Sequence, residues 1–156
     1  CGYHMGDYFA HWIRMGEMSS RASHPKFFLV NWFRKTRDGR FLWPGYGENS
    51  RVLKWIFERC DGKDNAVETP IGLMPAQDAI QRPEGVAESD MRELLEVDVA
   101  AWKAEIEDIR KNHYPIFGSR LPVALAGQLE NLDRCLHESG RYDSVAADKQ
   151  PLLKGY

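Results

Sequence analysis

Cysteine is scarce in this chain of 156 residues: Cys1, Cys60 and Cys135 stand far apart, with no Cys-x-x-Cys pair. That argues against a disulfide framework and fits reduced thiols of a cytoplasmic protein, Cys60 and Cys135 being expected as inert core thiols on apolar helix faces. No apolar run approaches the length of a membrane span and no charged-then-apolar leader opens the chain, so the sequence reads as soluble with no membrane partner. Excess basic charge is also missing. With a formal net charge of -2 and a pI near 6.2, the chain has no general field for a nucleic-acid backbone. Its one basic cluster, Arg34-Lys35-Thr36-Arg37, reads as a solvated turn. No G-x-x-x-x-G-K-[ST] loop is present. His4, His11, His24, His113 and His137 are scattered, without a Cys or carboxylate at metal-ligand spacing, and are expected to be structural or surface groups.

What the chain does have is globular balance, with 43% hydrophobic and 28% charged residues, and a generous 12% of aromatics that includes five Trp. The length suits one ordinary domain. Asp7 to Met15 places Phe9, Trp12 and Ile13 on one face of a short helix ending at Gly16. Phe27 to Phe33 is a nearly unbroken apolar run, the pattern of a strand covered on both faces and central in a sheet. An Asp38-Gly39 turn predicts a hairpin-like excursion to Phe41-Leu42-Trp43. After an irregular loop, Asn49 or Ser50 is placed to cap a helix from Arg51 whose Leu53, Ile56, Phe57 and Cys60 share a face before Asp61-Gly62 stops it.

From Asp61 to Ser89 the composition turns to loop residues around Thr69-Pro70-Ile71-Gly72-Leu73-Met74-Pro75, expected as an extended edge segment or surface loop. Two helical stripes follow. Val99, Trp102, Ile106 and Ile109 form one, with Asp98 as N-cap; Leu125, Leu129, Leu132 and Leu136 form the other, with Pro122 in the first turn and Gly140 at the stop. Both are expected to cover a sheet. Glu105-Ile106-Glu107-Asp108 reads as a solvated acidic face, and residues 141–156 as a poorly ordered tail.

The chemistry concentrates in Asn31-Trp32-Phe33 and in Phe41-Leu42-Trp43-Pro44-Gly45-Tyr46-Gly47-Glu48-Asn49-Ser50-Arg51, where rings and glycines gather as a strand leaves the sheet. Such rings suit the two flat faces of a purine: Phe33 and Tyr46 to sandwich it, Phe41 to close the side and Asn49 to read the polar edge. The Asn49 amide offers a donor and an acceptor together, and the backbone N–H groups of Gly47 to Asn49 lie near a helix N-terminus. Local reasoning alone also allows plain core packing for the rings, a tight turn for Gly45 to Gly47 and a helix cap for Asn49.

These residues, with their eight-residue step from Phe33 to Phe41, resemble the guanine-binding segment of GTP-dependent phosphoenolpyruvate carboxykinases. The resemblance extends back through Gly2-Tyr3 and Gly6-Asp7-Tyr8-Phe9-Ala10-His11-Trp12 and forward through Thr69-Pro70-Ile71-Gly72. It implies an α/β fold: the C-terminal part of the family's nucleotide-binding domain over residues 1–140, with the guanine pocket in 31–51 and C-terminal helices over about 89–139. It implies that Phe33, Phe41, Tyr46, Gly47, Glu48 and Asn49 bind the nucleotide, and that Asn49 separates guanine from adenine. Three positions depart from the family pattern: Tyr46 stands where Phe is commoner, His4 where Asn is usual and Cys1 where Phe is usual.

The family activity is that of a gluconeogenic carboxy-lyase, which decarboxylates oxaloacetate and phosphorylates the enolate with GTP, giving phosphoenolpyruvate, GDP and carbon dioxide. Divalent metals, Mn2+ or Mg2+, polarise the carbonyl oxygen and neutralise the phosphates. The resemblance implies that the metal-binding and catalytic residues lie upstream of Cys1, so that no catalytic or metal residue is expected in this segment and the segment alone is expected to be inactive. It further implies a cytoplasmic monomer. The alternatives are a non-catalytic interaction module that presents the aromatic surface to a protein or peptide, and an ATP-using kinase-like protein; Asn49 and the three rings argue against the latter.

Overall fold

The computed structural model describes residues 2–20 and 24–142. The chain divides into two compact units, Ser23–Val97 and a second made of Cys1–Ala22 with Asp98–Tyr156. Content is mixed, with helices and one small antiparallel sheet.

In the Ser23–Val97 unit the expected hairpin is present. Thr36 N–H donates to Arg40 O at 2.9 Å and Leu42 N–H to Arg34 O at 3.0 Å, closing an antiparallel bridge between Lys35 and Phe41. Gly39 takes the turn at φ +87°, a conformation that favours glycine. Helix α2 follows over Asn49–Cys60 and ends before Gly62 at φ +87°. Strands β1, Ala66–Thr69, and β2, Gly72–Pro75, pair antiparallel around a Pro70-Ile71 turn. The Pro-containing island expected as an edge segment or loop is therefore a hairpin: its prolines fall at the turn and at the last strand residue, where no ladder donor is needed. Helix α3, Glu88–Leu95, completes the unit.

Two expectations fail here for physical reasons. Phe27 to Phe33 is not a central strand. A strand exists only against a partner edge, and this run forms no ladder pair among the described residues, so Phe27 and Leu29 are 89% and 95% exposed. Phe28 does find a ring, meeting Trp55 edge-on with centroids 5.8 Å apart. In α2 the face of Leu53, Phe57 and Cys60 is also exposed, and Cys60 is not a core thiol. The residue that α2 buries is Trp55, whose indole N–H donates to Asn65 O at 3.0 Å. Leu42, Trp43, Trp55 and Val86 make the core of this unit.

Among its described residues, the regular elements of the second unit are all helices. Helix α1 runs Met5–Glu17, longer at both ends than the sequence predicts; at its start His4 caps it, Gly6 N–H donating to His4 Nδ1 at 3.1 Å. It continues through Gly16 to a cap at Met18. Helix α4, Val99–Asp108, starts as expected at Asp98, whose carboxylate accepts from Ala101 N–H at 2.9 Å. A π-turn over Ile109–His113 and a 3-10 segment over Tyr114–Arg120 lead to α5, Val123–Tyr142.

The apolar stripes of α4 and α5 cover one another rather than a sheet, burying Ile106, Leu129 and Leu136. Arg110 ties the same helices together from the polar side, donating to Glu130 and Asp133 at 3.1 Å each. Helix α5 passes through Gly140 instead of stopping there. The predicted tail lies, from residue 143 onward, outside the described residues. No described helix is long and apolar enough to cross a membrane.

Candidate functional site

Phe33 and Phe41 end up side by side because the hairpin returns the chain on itself. Their rings meet edge to face at 6.3 Å, interplanar angle 64°, a favoured aromatic geometry. Yet they are 72% and 50% exposed. Phe33 is set by an Asx turn, its N–H donating to Asn31 Oδ1 at 2.9 Å. Phe41 carries the Lys35 ammonium over its face, 4.5 Å from the centroid.

Behind the rings, Arg34 donates to Glu96 O at 2.9 Å and to Leu94 O at 3.3 Å, satisfying carbonyls at the end of α3. Arg40 forms a bidentate pair with Asp90. That hydrogen bonding is the main cause holding the Asp90 carboxyl below its ordinary range, and it correspondingly raises Arg40. Thus two members of the basic cluster also have partners: half-buried Arg34 holds the carbonyls, and Lys35, exposed as expected, lies over the Phe41 ring.

The loop into α2 begins at Gly45, φ +115° and ψ -158°, a backbone open in practice to glycine alone. A 3-10 turn over Tyr46–Glu48 then runs directly into α2. Tyr46 stands 93% exposed and touches no other described ring. A Cβ on Gly47 would meet nothing within 4 Å. The Glu48 carboxylate pairs with Arg51 one turn on.

Asn49 does not serve as the helix cap that local reasoning allows: it is the first residue of α2, and its Oδ1 accepts the indole N–H of Trp43 at 2.8 Å. Trp43 is the site residue that sequence reasoning missed. The signal for it, a Trp six residues before the Asn, becomes meaningful only once Gly45 folds the loop back.

Phe33 and Phe41 are therefore in contact, while Tyr46, Gly47, Glu48 and Asn49 follow one another along the exposed turn. Elsewhere in the unit an open cavity of about 1310 Å³ has an apolar floor that includes Val67, Met74, Met91 and Leu95, and none of these six predicted residues lines it. The described residues include no group of three His, Cys, Asp or Glu side chains placed to hold a metal. The resemblance assigns the divalent ion to residues upstream of Cys1.

Comparison with known proteins identifies the family. A family model described as the phosphoenolpyruvate carboxykinase C-terminal P-loop domain matches residues 1–135, which defines the class. Proteins named phosphoenolpyruvate carboxykinase [GTP] are similar along most of the chain: that of Treponema pallidum (strain Nichols) is 58% identical over 141 residues, covering 89% of this chain and 23% of the relative. The Neocallimastix frontalis protein is 53% identical over 138 residues, 87% of this chain and 22% of its own. That of Thermoplasma volcanium is 48% identical over 111 residues, 71% and 18% respectively. The chain belongs to the GTP-dependent phosphoenolpyruvate carboxykinase family. It spans less than a quarter of the length of these relatives.

Proposed function

We propose that this segment is the guanine-nucleotide wall of a GTP-dependent phosphoenolpyruvate carboxykinase, with Phe33, Phe41 and Tyr46 holding the base and Asn49 selecting guanine. The observation that carries this reading is the Phe33–Phe41 pair: two rings held in contact at 6.3 Å by a clamped hairpin, each half or more exposed. Large rings are ordinarily covered. A pair held rigidly and left open, beside an exposed Gly-flanked turn, is a surface suited to a flat aromatic ligand.

In the whole protein the C–C bond to the departing carboxylate of oxaloacetate breaks, carbon dioxide leaves, and the enolate oxygen attacks the γ-phosphorus of GTP. The β–γ P–O bond then breaks to release GDP and phosphoenolpyruvate. This segment's part is to bind and orient the nucleoside, so that the phosphoryl group lies in line. Metal binding and phosphoryl transfer are assigned to no described residue. On this reading the parent protein is a cytoplasmic, monomeric, gluconeogenic enzyme dependent on Mn2+ or Mg2+.

Calorimetric titration of the natural polypeptide with GDP and ADP tests the reading. GDP is expected to bind more tightly, and Asn49→Ala to erode that preference by about tenfold or more. Equal affinity for the two nucleotides would overturn it. The 156-residue chain by itself is expected to show no carboxykinase turnover.

A further inference from the structure

We infer that Trp43 is the positioning residue for guanine selection: its indole N–H locks the Asn49 amide with oxygen inward and NH2 outward, so that the loop meets the base with a donor. The inference rests on the reading of Asn49 as the selecting residue and sharpens it, since a free amide would offer either end. Indole N–H is a donor only. Its partner across 2.8 Å must therefore be the amide oxygen, so the chemistry alone decides the amide orientation.

Trp43 cannot easily turn away. It is 6% exposed and meets the Trp32 ring at 6.4 Å. Asn49 is equally fixed along its backbone, its N–H donating to Tyr46 O as the 3-10 turn passes into α2. The freedom left is that of the Asn49 side chain, and the bond from Trp43 restricts it.

Among the described residues Asn49 Nδ2 has no hydrogen-bond partner. A purine is thus presented with N–H donors. Guanine carries the acceptor O6 where adenine carries an amino donor, so the same group pairs with one base and opposes the other. Once a base covers it, a donor left unpaired against the wrong base discriminates strongly.

The test compares GDP, IDP and ADP binding by calorimetry, with thermal midpoints, for the natural polypeptide, Trp43→Phe, Asn49→Ala and the double variant. Phe keeps an aromatic ring in the core and removes the donor. Trp43→Phe is expected to lower GDP and IDP affinity together by about tenfold, the worth of one oriented hydrogen bond, because both bases present O6. ADP affinity is expected not to fall, since the freed amide can turn its oxygen toward the adenine amino group. In the Asn49→Ala background the same change should add nothing, since Trp43 acts through Asn49.

A variant outside the core, Asn49→Asp, still accepts the indole N–H but offers the base an acceptor, and is expected to abolish the preference for GDP. A Trp43→Phe variant that loses thermal stability while keeping its GDP-to-ADP ratio, or an Asn49→Asp variant that still prefers GDP, would overturn the role of Trp43. If Asn49→Ala lowers the ratio in that event, guanine selection by Asn49 stands and only the positioning role falls. If Asn49→Ala leaves the ratio unchanged, both fall.

Discussion

Arg40 grips Asp90 through two parallel hydrogen bonds, Nη1 to Oδ2 and Nη2 to Oδ1, each 2.9 Å. This fork joins the return strand of the aromatic hairpin to the first turn of α3, while Arg34 reaches the carbonyls at the other end of the same helix. The hairpin bearing Phe33 and Phe41 is therefore clamped along α3 at two points. Replacing both arginines by alanine should free the hairpin and lower GDP and ADP affinity in parallel by several-fold, leaving their ratio intact. A change in the ratio would mean that the arginines touch the base edge instead.

The same ion pair sets a pH dependence. Asp90 has its folded carboxyl held below the ordinary range, chiefly by the Arg40 hydrogen bond. Its contribution is therefore present above the unfolded pKa of about 4 and lost as pH falls through the lower folded value. Thermal midpoints of the natural protein and Asp90→Asn should differ at pH 7 and converge below about pH 4. A gap that persists into strong acid would show that the carboxylate charge is irrelevant.

Two glycines should respond to alanine with opposite signs. A Cβ on Gly6 would sit 2.4 Å from the backbone oxygen of Arg120, a close approach that only glycine allows. Gly6→Ala should destabilise by about 1–3 kcal/mol through overpacking. Gly127, inside α5, has nothing within 4 Å of an added Cβ. Its replacement should stabilise by about 0.5–1 kcal/mol through helix propensity. Urea unfolding of the two variants measures both.

Asp98 provides a cleaner local test. Its carboxylate accepts from Ala101 N–H at 2.9 Å at the start of α4, so Asp98→Ala should cost about 1 kcal/mol, and Asp98→Asn much less, in the same denaturation assay.

Asp98 was also legible in the sequence, and the reason separates what could be read from what could not. Caps, turns and the Ile106 and Leu129 stripes depend on residues a few places apart, so spacing reveals them. Phe27 to Phe33 carries every local mark of a strand but pairs with nothing described, because strand formation depends on a distant edge. Leu53, Phe57 and Cys60 do share a helical face; periodicity tells which residues face together, not what covers them. Phe33 and Phe41 could be joined from the Asp38-Gly39 turn between them. The Trp43–Asn49 bond could not, since it hangs on the unusual backbone of Gly45.

Tyr46 offers the sharpest separation of holding a base from reading it. Its ring is 93% exposed at the tip of the loop and lacks the oriented amide of Asn49. Stacking is available to any base, since each has a π face, and the loss of one stacking ring costs about 1–3 kcal/mol. Tyr46→Ala should therefore weaken GDP and ADP by the same factor, of order ten, whereas Tyr46→Phe should bind both as the natural protein does. Asn49→Ala, by contrast, should move the ratio. If Tyr46→Ala changes the ratio instead, the hydroxyl or the loop backbone beside it contributes to recognition, and the division of labour between ring and amide proposed for this turn is wrong.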